Sequence, residues 1–106
     1  MSERLRTILG ELRRRMAALY GPRLVELILY GSQARGDAEP GSDIDVLVVL
    51  KGSVSAYEEI TRTGDIVADL SLAHGEVICC LFMDEDRFTT RNGPLLRNIR
   101  REGVPI

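Results

Sequence analysis

Apolar positions recur along this chain with two different periods, and the switches between them divide it into elements. From about residue 3 to 20, Leu5, Ile8, Leu9, Leu12, Met16 and Leu19 return at spacings of three and four, which predicts one amphipathic helix. Arg4, Arg6, Arg13, Arg14 and Arg15 lie mostly off that stripe, either as a solvated face or as a flank for an acidic partner or phosphate. Gly21-Pro22 ends the helix. Leu24–Tyr30 and Asp43–Leu50 are dense apolar runs of strand length, and the second is continuous enough to suit a central strand covered on both faces. The connection between them, Gln33 to Ser42, is polar and carries the turn formers Gly36, Pro40 and Gly41.

Ser55 and Glu58 have capping-box spacing and open a second long helix, expected to run to Ala73 with Ile60, Ile66, Val67 and Leu70 inside. Gly64 predicts an irregularity in its middle, and His74-Gly75 its end, with His74 read as a cap residue rather than a base. Val77–Met83 is a third strand. The acids Asp84, Glu85 and Asp86 open a short helix in which Phe88 packs inward. Pro94 opens a last helix to about Arg101, with Leu95, Leu96 and Ile99 on its apolar side. Gly103 and Pro105 stop it.

At 106 residues the pattern predicts a single domain spanning 1–106. A net charge of −2 gives no general affinity for nucleic acid, and Lys51 is the only lysine among 14 basic residues. The charged N-terminus and the absence of a long apolar run predict neither a signal peptide nor a membrane span, and point to the cytoplasm. Cys79 and Cys80 would point to opposite faces of a strand, as reduced, buried residues.

Chemistry concentrates between the first two strands. Asp43 and Asp45, two residues apart at the start of a strand, share one face. Two such carboxylates repel unless a cation lies between them, and Mg²⁺ takes one or two carboxylates together with substrate phosphates. Gly31 and Ser32, just upstream, can offer a phosphate a close backbone N–H and a hydroxyl.

The ordered set Gly31-Ser32-Gln33-Ala34-Arg35-Gly36, a loop from Asp37 to Gly41, then Ser42-Asp43-Ile44-Asp45, resembles the active-site signature of the minimal nucleotidyltransferases of the DNA polymerase β superfamily. The resemblance implies an α/β fold, a small mixed sheet with helices packed on one side, and a short helical turn after Gly31-Ser32. It implies that Gly31 and Ser32 hold a nucleoside triphosphate, ATP foremost, and that Asp43 and Asp45 hold Mg²⁺. It further implies transfer of a nucleoside monophosphate to a hydroxyl. Members of this kind act as antitoxins beside a helical HEPN-domain toxin, so a HEPN-domain partner or a homo-oligomer is expected. The arginine flank of the first helix and the last helix are the docking surfaces to consider. Arg35 reads as a phosphate anchor or as a salt-bridge partner of Asp37 or Glu39. Ser42 reads as a hydrogen-bond partner of Asp43 or as the end of a turn.

One departure matters. Active members carry a third carboxylate on the strand that follows the long helix. Here Val77–Met83 contains none; Glu76 precedes it and Asp84 follows it. The expectation is weak or partner-dependent transfer, with a nucleotide-binding module that neutralises its partner by contact as the alternative.

Overall fold

The computed structural model describes residues 1–106. Helix α1 (Glu3–Tyr20) is capped by Ser2, whose hydroxyl accepts from the Leu5 N–H at 3.1 Å. A single 3₁₀ turn (Gly21–Arg23) leads into β1 (Leu24–Tyr30), followed by the short α2 (Gly31–Arg35). Then come β2 (Ile44–Leu50), α3 (Ala56–His74), β3 (Ile78–Asp84), α4 (Glu85–Thr90), α5 (Pro94–Glu102) and β4 (Val104–Pro105). No helix is long and apolar enough to cross a membrane.

The strands form one mixed sheet in the order β3-β2-β1-β4. β1 pairs antiparallel with β2 and β4, whereas β2 and β3 run parallel, with α3 as the crossover between them. β2 is central, and Val46 through Leu50 are fully buried, as its unbroken apolar run requires. Asp43 lies one residue before β2 rather than within it. The alternation of strand side chains splits the core into two layers. Leu27, Leu29, Ile44, Val46, Val48, Ile78 and Phe82 meet α1 and α3 on one face. Ile28, Leu47 and Val49 meet Leu96 and Ile99 of α5 on the other, with Phe88 of α4 beside them. The mixed sheet is as expected and the two long helices share a face, but the helices are not confined to one side: the two short C-terminal helices form a smaller layer opposite, because β2 is apolar on both faces and needs cover on both.

Three packing details differ from the sequence reading. Leu19 is 41% exposed, because the 3.6-residue turn carries the buried stripe from Met16 to Tyr20 instead. In α3 the inner stripe is Glu59, Thr63, Ile66 and Leu70; Ile60 is 57% exposed and Val67 only half-buried. Glu59 can occupy the interior because its carboxylate is fully engaged. Tyr20 Oη donates to Oε1 at 2.7 Å, Arg62 Nη1 donates to the same oxygen at 2.6 Å, and Arg23 Nη1 stands 3.6 Å from Oε2. Burial pushes this carboxyl up, but the hydrogen bonds from Tyr20 and Arg62 and the charges of Arg62 and Arg23 outweigh it and hold it below the ordinary range. The capping box does not form: Ser55 is the N-cap residue of α3, yet its side chain makes no capping hydrogen bond. Nor does Gly64 interrupt α3, which runs unbroken to Gly75 in a left-handed C-cap.

The strand β4 was not legible as such. Pro105 lacks an N–H and belongs at an edge, where it sits opposite Ile28, and the Ile106 N–H donates to the Leu27 carbonyl at 2.9 Å. This return of the chain to β1 anchors α5 against the second face.

Candidate functional site

β1 and β2 present the motif at one end of the sheet. Tyr30, the last residue of β1, pairs with Asp45. Gly31 follows at φ +73°, a conformation open to glycine. A Cβ at Gly31 would lie 2.5 Å from Asp45 Oδ2, so the backbone must lack a side chain for the carboxylate to stand there. α2 then turns the chain, with the Ser32 carbonyl accepting from the N–H groups of Gly36 and Asp37, and the helix ends at Gly36 in the left-handed region. The following loop closes when the Ser42 N–H donates to the Glu39 carbonyl at 3.0 Å and Gln33 Nε2 donates to the Ser42 carbonyl at 3.3 Å. Of the two readings of Ser42, its main chain carries out the second, finishing the turn.

Ile44 points into the α1/α3 layer, so Asp43 and Asp45 emerge on the opposite face, the one covered further along by α5. They are electrostatic neighbours. Burial raises the Asp45 carboxyl above its usual value, the charge of Asp43 raises it further, and Arg35 is the cation that opposes the shift. The Tyr30 phenol is raised as well, by burial and then by the charge of Asp45. Two converging carboxylates, one of them uncomfortable as an anion, suit a hard divalent cation with phosphate oxygens completing its shell.

Arg35 lies 3.2 Å from Asp37 and 3.4 Å from Glu102, an α5 residue that sequence spacing could not nominate. The Asp37 pairing fits its structural reading; Glu39 is not involved. Arg35 also lines a cleft of about 190 Å³ beside Gly31, between Tyr30 and α5 residues Leu95, Asn98 and Ile99. That volume is below the ~300–1,000 Å³ of pockets that enclose a whole small-molecule ligand. Gly31 and Arg35 therefore border a recess with room for part of a nucleotide, and Ser32 follows directly on Gly31.

The third carboxylate is absent from the site, and the register explains what replaces it. Asp45 of β2 pairs with Cys79 of β3, and Cys79 Sγ donates to Asp43 Oδ2 at 3.5 Å. Cys79 was expected to be buried; it is exposed, because it shares the face of the acids beyond the edge of α5 cover. Burial, the hydrogen bond to Asp43 and the two carboxylate charges all raise its thiol, so the side chain is a neutral neighbour rather than a third anion. Cys80 points the other way, and burial pushes its thiol up to about 12. Glu76 has the opposite parity from Cys79 and pairs with Arg4 at 3.2 Å. Asp84 pairs in register with Leu50, about 16 Å along the strand from Cys79 at ~3.3 Å per residue, and caps α4 by accepting from the Arg87 N–H at 2.8 Å. No group of three His, Cys, Asp or Glu side chains is arranged to hold an ion. His74 hydrogen-bonds Glu11 Oε2 at 3.0 Å, between the two long helices and away from the acids.

Three arginines of the α1 flank have intramolecular contacts. Arg4 reaches the His74 carbonyl as well as Glu76, Arg13 donates to the Ile106 carbonyl and Arg15 pairs with Asp69. On α5, Leu96 and Ile99 enter the core while Leu95 stays 46% exposed at the cleft.

The nucleotidyltransferase domain model matches residues 9–103. A Methanocaldococcus jannaschii protein described as a candidate protein adenylyltransferase is 38% identical over 85 residues, covering 79% of each chain. Among solved structures, a toxin–antitoxin crystal structure with AMP-PNP superposes with a TM-score of 0.63 at 17% identity, over 93% of this chain and 69% of that one. A complex of a tri-AMPylated HEPN toxin with an MNT antitoxin from Shewanella oneidensis gives 0.54 at 14% identity, over 92% and 70%. At these identities the two structures speak to the fold alone.

Proposed function

Because the chain belongs to the nucleotidyltransferase domain family, we propose that it binds Mg²⁺-ATP at Gly31, Ser32, Asp43 and Asp45 and transfers AMP to a hydroxyl of a HEPN-type partner protein. The observation that carries the reading is the close approach of the Asp45 carboxylate to Gly31, where an added Cβ would lie 2.5 Å from Oδ2. A backbone bared in this way beside paired acids lets a triphosphate approach both at once. The likeness to the M. jannaschii candidate protein adenylyltransferase supports a protein acceptor, and the likeness to the AMP-PNP complex and to the complex with the AMPylated HEPN toxin supports adenylate and a HEPN partner.

In this mechanism the Gly31 and Ser32 N–H groups and the Ser32 hydroxyl hold phosphate oxygens, as the first turn of α2 allows. Arg35 borders the same recess and offers a planar cation to the phosphates or steadies the loop through Asp37. Asp43 and Asp45 would hold the Mg²⁺, which when bound supplies charge neutralisation on the attacking and leaving oxygens. The acceptor oxygen bonds to the α-phosphorus as its proton passes to solvent, the bond from the α-phosphorus to the oxygen bridging to the β-phosphate breaks, and pyrophosphate departs with that oxygen. The protein's share is alignment and charge. Cys79 supports the second reading, a module that binds nucleotide and neutralises its partner by contact, because a neutral thiol neither completes the cation shell nor accepts the acceptor's proton.

Incubation with α-phosphate-labelled ATP, Mg²⁺ and the product of the neighbouring gene separates the two. Label on the partner, lost in Asp43→Asn, establishes transfer. A tight complex that never acquires label leaves the contact-only module.

A further inference from the structure

The two edges of the sheet are treated differently. β4 is two residues long and contains Pro105, which blunts it. β3 is seven residues, Ile78-Cys79-Cys80-Leu81-Phe82-Met83-Asp84, and pairs only with β2. It has no proline, no lysine and no register shift, and Val77 just before it is 55% exposed. An edge of this kind exposes a row of unpaired N–H and C=O groups on an apolar strand, which natural proteins protect unless something pairs with it.

Beside that edge runs an uncharged stripe on α3: Tyr57, Ile60, Gly64, Ala68 and Ser71, spaced by three and four. It is the flank turned away from α1, whose contacts with α3 run through Glu59, Asp69 and His74. Between stripe and strand lies a groove of about 220 Å³ bordered by Ile60, Gly64, Val67, Cys80 and Phe82. Gly64 weakens the helix, and nothing lies within 4 Å of where its Cβ would be, so the fold itself does not need it bare.

We propose that β3 and α3 form the interface with a second copy of this chain. A strand edge is satisfied by another strand, which an all-helical partner cannot offer and this chain can. Antiparallel pairing of β3 with its copy places a two-fold axis perpendicular to the sheet, keeping both α3 helices on one face and side by side. Gly64 and the middle of β3 lie at one level, since the groove joins Gly64 to Cys80 and Phe82 on either side of Leu81. With the axis at that level, Gly64 meets Gly64, Ile60 meets the second copy's Ala68, and Tyr57 meets its Ser71. Each large side chain faces a small one, and no charge faces its like. The joined sheet has eight strands, and both Asp43/Asp45 sites open on the face away from the α3 pair.

Light scattering after size-exclusion chromatography tests this. The parent is expected at twice the 11.8 kDa chain mass. Ile60→Lys and, separately, the helix-favouring Gly64→Gln are expected at the single mass with unchanged circular dichroism. Hydrogen exchange gives a reading without any variant: amides of residues 78–84 should slow as parent concentration rises. A monomeric parent overturns the proposal. So does a dimer that withstands both substitutions, or β3 exchange that is independent of concentration.

Discussion

Gly31 and Asp45 define each other. The residue at 31 is held at φ +73°, where a side chain is strained, and its Cβ would strike a carboxylate oxygen. Gly31→Ala is expected to cost about 1–2 kcal/mol from the left-handed conformation alone, with the displacement of Asp45 added. The check is a paired measurement of urea midpoint and Mg²⁺-ATP affinity, both of which should fall; an unchanged affinity would detach Gly31 from the site. Cys79 is the residue the sequence reading misplaced, as a buried one; it is exposed beside the acids. The pairing of Asp45 with Cys79 depends on a parallel register set by the length of α3 and its turns, which no local pattern encodes. Cys79→Asp adds a carboxylate beside the pair. It is expected to raise the transfer rate, by up to the ~10²-fold at the lower end of general acid–base contributions, in a single-turnover assay with partner and labelled ATP. A variant no faster than the parent would show that position 79 does not limit the chemistry. Arg35 illustrates a partial reading. Asp37, two residues away, was foreseeable; Glu102, on an element placed by tertiary packing, was not.

Among the elements, α3 departs most from its sequence pattern. Apolarity assigned Ile60 to its inner face, but Tyr20, Arg23 and Arg62 turn Glu59 inward instead. Partners contributed by α1 and the 3₁₀ turn are invisible to a helix-periodicity argument. Glu59 is 1% exposed, and its folded carboxyl lies below the ordinary value near 4.5. A depressed carboxylate adds stability that is complete above the unfolded value and is lost as pH falls through the folded one. Urea midpoints should therefore drop below about pH 4.5 in the parent, and Glu59→Gln should flatten that part of the profile. Glu59→Ala is expected to cost about 2–3 kcal/mol, less than the ~3–5 of a fully buried pair, because the Arg23 and Arg62 side chains stay 32% and 42% exposed. A parent midpoint constant across the acid range would mean that the network carries no net charge coupling. The strands were easier to read: β1 has the bounds its apolar run indicated, and β2 and β3 differ by a residue at their ends.

At the scale of the whole molecule, the motif from Gly31 to Asp45 carried most of what the sequence could say. It joined two strands, the turn between them and the face of the acids, all within local reach of the chain. What it could not supply came from the C-terminal third. α5 folds back over the second face, brings Glu102 to Arg35 and lines the cleft beside Gly31, while β4 pairs along the edge of β1. The core is lopsided, with the larger layer under α1 and α3, so the site stands on a well-packed sheet end while its α5 wall belongs to the thinner layer. The central claim is that the end of β2 is where triphosphate and Mg²⁺ meet. Titration calorimetry with a non-hydrolysable ATP analogue, with and without Mg²⁺, tests it most directly. The parent should bind in a Mg²⁺-dependent way, and the Asp43→Asn, Asp45→Asn double variant should lose that dependence while keeping the same circular dichroism. Equal Mg²⁺-dependent binding by parent and double variant would contradict the account.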